Sequence, residues 1–111
     1  MSDFEKWDIR EADVPYIDNP NKSSVRPVLI IAPDMVLVLK ITTHGHSDRP
    51  KPYEYEIFKW QEAGLTAPSY IQCDKYIRLN KDRFTGKKYG KLKMTDIIGV
   101  ETMMRYHGLI R

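Results

Sequence analysis

The chain has 111 residues, 18 Lys+Arg against 15 Asp+Glu, 41% hydrophobic and 30% charged residues, and a single cysteine. That length fits one domain, residues 1–111, with one modest core, and that composition excludes a disordered polypeptide. Cys73 alone excludes an internal disulfide, no apolar run approaches the about 20 residues of a membrane span, and Met1 to Trp7 has no signal-peptide core, so a soluble cytoplasmic protein with no membrane partner is expected.

In chain order, Asp8 to Val14 carries apolar residues at Ile9, Ala12 and Val14 and can open a strand. Tyr16 to Ser24 is turn chemistry, rich in Asp, Asn, Pro and Ser. Val28-Leu29-Ile30-Ile31 is a β-branched run entered through Arg26-Pro27, and proline suits a first strand position. Pro33-Asp34 is a tight turn, and Val36 to Ile41 is a second apolar run, so the two read as a hairpin buried on both faces. Thr42 to Pro52 is a polar loop. Tyr53 to Ile57 alternates as a half-exposed strand, and Lys59 to Gly64 makes about one helical turn. Ser69 to Asp74 and Lys75 to Leu79 are strand-like, and Lys81 to Lys93 is a basic stretch that reads as a solvated loop. A C-terminal helix follows, with Thr95 as N-cap, Ile97, Val100 and Met104 as its inner stripe, widened by Ile98 and Met103, and a stop at Gly108. A small barrel-like antiparallel sheet with an appended helix is the expected architecture.

Few residues suggest chemistry. The six glycines form no phosphate-binding fingerprint, and Ser69 has no Gly-x-Ser-x-Gly elbow. His44-Gly45-His46 with Asp48 is the only metal-like cluster, and two neighbouring loop histidines are more often simply solvated, so no metal or cofactor is expected. The basic stretch interleaves Lys87 and Lys88 with Phe84 and Tyr89, a pattern that can hold phosphates and stack bases, although a solvated loop is the favoured reading. If the hairpin pairs through Pro33-Asp34, Arg26 and Thr42 fall at the same end of the sheet. A forked, permanent cation beside a hydroxyl can grip a phosphodiester; an exposed arginine and a loop-capping threonine is the plainer alternative.

Arg26-Pro27-Val28-Leu29-Ile30-Ile31, then Ile41-Thr42-Thr43, then Gly64-Leu65 through Pro68-Ser69-Tyr70-Ile71-Gln72-Cys73-Asp74-Lys75, followed by Gly90-Lys91-Leu92, resemble the PemK/MazF toxins of bacterial toxin–antitoxin pairs over about residues 7 to 107. The resemblance implies a mainly β (α+β) fold, a small SH3-like, partly open antiparallel β-barrel with short helices and a C-terminal helix. It implies a homodimer whose partners are single-stranded RNA and a cognate antitoxin. The implied activity is metal-independent endoribonuclease cleavage, in which the 2′-hydroxyl attacks the adjacent phosphate to leave a 2′,3′-cyclic phosphate. Arg26, Thr42 and Asp74 occupy the positions implied to be catalytic. Thr43, His44, His46, Gln72, Lys87 and Lys88 are the expected RNA-binding residues.

Arg26 can stabilise charge on the phosphorane but is a poor base, whereas Asp74 would serve as base if burial raised its pKa, and His44 or His46 would serve if their loop folded over the groove. The chain departs from the family pattern at four places. Trp7 stands where a glycine is usual, the span from Arg26 to Thr42 is short, Gln72 stands where some members have arginine, and the segment from Tyr16 to Val25 has no glycine. The rival readings are a CcdB-like gyrase inhibitor, which shares this fold and does not need Arg26 and Thr42, and an RNA- or protein-binding module without catalysis.

Overall fold

The computed structural model describes residues 4–16, 18–43 and 50–110. Strand β1 (Asp8–Pro15) pairs antiparallel with β2 (Ser23–Ala32), setting Ile9 opposite Leu29 and Ala12 opposite Arg26. The strand was expected to begin at Arg26-Pro27. It begins three residues earlier, because β1 offers ladder partners as far as Pro15↔Ser23, and Pro27 sits inside the strand opposite Glu11. The expected turn is present: Val36 N–H donates to the Pro33 carbonyl at 3.3 Å, and β3 (Leu37–Thr42) returns along β2 with Leu29 opposite Leu39.

Side chains alternate across a strand, so an unbroken apolar run must bury both faces. Leu29, Leu39 and Ile41 join Ile9, Ile57, Ile71, Val100 and Met104 in one core, whereas Val28, Ile30 and Val38 join Ala12, Val14 and Leu79 in another. The hairpin is therefore buried on both sides, as its sequence predicts.

Short strands extend the sheet: β4 (Glu54–Glu56), β5 (Tyr70–Gln72) and β6 (Ile77–Arg78). The basic stretch is not a loop. After a 3₁₀ turn at Lys81–Arg83 it forms β7 (Phe84–Lys91), antiparallel to β1. β1 would otherwise expose an unpaired edge, and anchors hold β7 there. The Phe4 and Phe84 rings lie 4.6 Å apart, Tyr89 donates to Glu11 at 2.8 Å, and Lys88 and Lys91 reach the fully buried Asp8 at 3.3 and 3.8 Å. The sheet order is β4-β5-β3-β2-β1-β7, with β6 added beside the start of β3. This is a mainly antiparallel β-sheet, curled into a partly open barrel, with a C-terminal helix.

Residues 59–64 close the expected single helical turn, Ala63 N–H donating to the Lys59 carbonyl at 3.1 Å, and Gly64 ends it at φ 91°. The turn lies against β7 so closely that a Cβ on Gly90 would collide with the Ala63 carbonyl. Helix α1 (Met94–Tyr106) begins one residue before the expected cap. Lys93 is the N-cap and contributes no side-chain bond, while Thr95 is exposed within the first turn. The inward-facing residue of that turn is Asp96, fully buried, and its register fixes the helix start. Val100 and Met104 are buried and Ile97 and Met103 are half-buried, but Ile98 is 58% exposed. Among the described residues no helix is long and apolar enough to cross a membrane.

Candidate nucleic-acid interface

The β2–β3 register pairs Val28 with Lys40 and Leu29 with Leu39. Continuing it by two residues sets Arg26 opposite Thr42, at the end of the sheet where assigned pairing between the two strands has stopped. Strand alternation then places Arg26, Lys40 and Thr42 on one face. On the other side of β3, Thr42 pairs with Tyr70 and Ile41 with Ile71, so Lys40 falls opposite Gln72. Four side chains from three strands thus share a small area.

Arg26 is half-buried and oriented by its own strand, since Nε and Nη2 both donate to Ser24 Oγ, at 3.1 and 2.6 Å. Two hollows flank its guanidinium. One, of about 290 Å³, is lined by Ser24, Arg26, Thr42, Thr43 and Ser69 among others. It offers one cation and the hydroxyls of Ser24, Thr42 and Thr43, a donor set suited to phosphate oxygens. Among the described residues the Thr42 hydroxyl makes one long contact of 3.4 Å, to the Thr43 carbonyl, and Ser69 Oγ donates to the Ala67 carbonyl at 2.8 Å. Ser69 is buried with that bond made. The second hollow, about 230 Å³, is lined by Tyr16, Asp18, Arg26, Lys40, Gln72 and Lys75 with an apolar floor including Val14 and Ile77.

Charge in this second hollow is lopsided. Burial lowers the Lys40 pKa from its ordinary value, the positive charges of Arg26 and Lys75 push it the same way, and only Glu54 and Tyr16 oppose them. Gln72 donates Nε2–H to Asp74 Oδ1 at 2.8 Å. Asp74 is half-buried just past β5 and lines neither hollow, so it meets the Arg26 site through Gln72 rather than directly.

The structure brings Arg26, Thr42, Thr43 and Gln72 together, with Asp74 one hydrogen bond behind. His44 and His46 lie outside the described residues. Lys87 and Lys88 stand on β7, at the far edge of the sheet beyond β1. Lys88 pairs there with buried Asp8, and Lys87 lies over the Tyr89 ring at 4.5 Å. Sequence reasoning missed Ser24, Lys40, Lys75 and Tyr16. Two signals were available: Ser24 lies two residues before Arg26 and so shares its face, and Lys40 is the one charge inside the apolar run from Val36 to Ile41. A larger hollow of about 440 Å³ beside α1, lined by Tyr55, Gly99, Met103 and Tyr106 among others, holds no comparable cluster of cations. Among the described residues, no group of three or more His, Cys, Asp and Glu is placed to hold a metal ion.

A family model described as PemK-like, MazF-like toxin of type II toxin–antitoxin system matches residues 5–107. An endoribonuclease solved in complex with its cognate antitoxin, from a mycobacterial species, superposes with TM-score 0.69 at 17% identity, covering 96% of this chain and 95% of that one. The Mycobacterium tuberculosis toxin MazF-mt6 superposes with TM-score 0.66 at 22% identity, covering 94% and 98%. At these identities the superpositions establish the shared fold. No curated protein matches the chain by sequence.

Proposed function

This chain belongs to the PemK-like, MazF-like toxins of type II toxin–antitoxin systems, and from that premise we propose that it acts in the cytoplasm as an endoribonuclease on single-stranded RNA, residues 1–111 working as one domain, paired with a second copy and held in check by a cognate antitoxin. The observation that carries the reading is the convergence of Arg26 and Thr42 across the β2–β3 end, in a hollow whose remaining polar lining is hydroxyl.

The chemistry follows from what those groups can do. Attack of a 2′-hydroxyl on the adjacent phosphate builds negative charge on the non-bridging oxygens. A donor already oriented at that point stabilises the transition state more than the ground state. Arg26 is such a donor: its forked guanidinium is held by Ser24. Thr42 and Thr43 add hydroxyl donors to the same oxygens. Asp74 assists by fixing the Gln72 amide at the neighbouring nucleotide. The products are a 2′,3′-cyclic phosphate and a 5′-hydroxyl end, and the protein groups supply the charge stabilisation without a metal.

The test is cleavage of a long single-stranded RNA in EDTA, wild type beside Arg26→Ala and Thr42→Ala. Wild type should cut and leave cyclic phosphate ends, with Arg26→Ala slower by about 100-fold or more, the loss typical of removing one oriented transition-state donor. Equal cutting by wild type and Arg26→Ala would place the active site elsewhere. RNA binding without cutting would make the chain a binding module.

A further inference from the structure

Arg26 can neutralise charge on the phosphorane, but it is a poor source of a proton, and the 5′-oxygen must acquire one as it leaves. The structure holds a better donor beside it. Lys40 sits in the middle of β3, paired on one side with Val28 of β2, and on the other side β5 begins its pairing at the next residue, Ile41. It lines the same hollow as Arg26 and shares its face of the sheet. No carboxylate among the described residues forms an ion pair with it. We propose that Lys40 is the proton donor to the leaving 5′-oxygen, an assignment that rests on the endoribonuclease reading above.

The step balances without a further reactant. The 2′-oxygen forms its bond to phosphorus as the 2′-hydroxyl proton passes to water. The bond from phosphorus to the 5′-oxygen breaks with its electron pair on oxygen. That oxygen takes a proton from Lys40 Nζ, and the neutral amine is recharged from solvent. A useful donor is protonated at working pH yet more acidic than a free side chain. The groups facing Lys40 favour this: Arg26 from β2 and Lys75 from beyond β5 push its proton off, and Glu54 from β4 with Tyr16 before β2 holds it on, with Asp18 lining the same hollow. Burial supplies the largest push in the same direction as the two cations. The position has a second consequence. A charged Lys40 extends the cation row from Arg26 towards Lys75, so it also helps hold the nucleotide that leaves.

The experiment uses two versions of one RNA oligonucleotide, built around a cut site mapped on the long RNA. One carries the natural 5′-oxygen at the scissile bond, and the other carries sulfur there. A thiolate leaves without a proton, so loss of a proton donor matters only for the oxygen substrate. Lys40→Met keeps most of the aliphatic length, and Lys40→Arg keeps the charge with a group that does not give up its proton. Both should cut the oxygen substrate about 100-fold more slowly than wild type or worse, and both should return to within several-fold of wild type on the sulfur substrate. Arg26→Ala should stay slow on both. Thermal melts identify a variant that has simply unfolded, and two variants guard against losing one. Undiminished cutting of the oxygen substrate by folded Lys40→Met, or equal loss on the two substrates, overturns the assignment and leaves the endoribonuclease intact. Failure of wild type to cut either substrate overturns both.

Discussion

Trp7 holds a backbone φ of 75°, a region in which an L side chain crowds the following carbonyl. Its neighbours keep it there: its N–H donates to the Ile30 carbonyl at 2.7 Å and its carbonyl accepts from Leu92 at 2.9 Å, while the indole packs on the larger core. The glycine usual at this place in the family has a plain physical reason, the left-handed backbone, and this chain replaces it with a packed ring. Two substitutions separate the effects. Trp7→Ala loses the ring and keeps the strain, whereas Trp7→Gly loses the ring and relieves it. Both should destabilise, but Trp7→Gly less so, by about 1 kcal/mol, the reverse of the ordinary order of alanine and glycine. Urea unfolding of the two variants measures the difference. Cys73 illustrates a residue with no such role, since burial foremost and the neighbouring Asp74 charge push its thiol up to about 12, leaving it a buried apolar side chain.

At the scale of the element, α1 is tied to the sheet by one carboxylate. Asp96 accepts from the Tyr55 hydroxyl at 2.7 Å and from the Phe58 and Lys59 amides at 3.0 and 2.9 Å. A fully buried charge with three donors is well satisfied, and removing it strands all three. Asp96→Ala should cost about 3 kcal/mol or more in chemical denaturation and release the 59–64 turn, visible as faster amide exchange at Phe58 and Lys59. The seam is otherwise a matter of fit, since a Cβ on Gly99 would meet the Tyr55 ring. The helix expected at the C-terminus was legible because its 3.6-residue spacing of Ile97, Val100 and Met104 is local information. Its N-cap was not, because Thr95 is a good capping type whose competitor, Asp96, has its partners about 40 residues earlier in the chain.

For the molecule as a whole, two phenols act as ties between distant parts, Tyr55 from β4 to α1 and Tyr89 from β7 to Glu11 on β1. Burial first, then the hydrogen-bonded carboxylate, raises both pKa values: Tyr89 to about 12, and Tyr55 further in the same direction. The folded protein therefore keeps protons that the unfolded chain gives up above about pH 10, its ordinary phenol value. Stability contributed by these ties is complete below that pH and is lost as pH rises through the raised values. Thermal melting should fall steadily from about pH 10 upward, and Tyr55→Phe should begin from a lower melting temperature but decline less over the same interval. The basic stretch belongs to this scale too. Lys88 and Lys91 are committed to buried Asp8 and help close β7 onto β1, so their charges hold the sheet together some distance from Arg26.

The amino-acid sequence by itself determined the β2–β3 hairpin, its burial on both faces, the 59–64 turn and the C-terminal helix. Each depends on spacing within a few residues, and an apolar run of period one or 3.6 has few other ways to leave water. It also placed Arg26 and Thr42 at one end of the sheet, because a tight turn at Pro33-Asp34 fixes the register. Tertiary structure alone decided that Lys81 to Lys93 contains a strand, since β1 had to find a partner for its free edge and no local pattern says which segment that is. It alone decided that Lys40 belongs with Arg26 while Lys87 and Lys88 do not. Strand order sets which charges share a hollow, and strand order here is written in contacts between residues far apart in the chain.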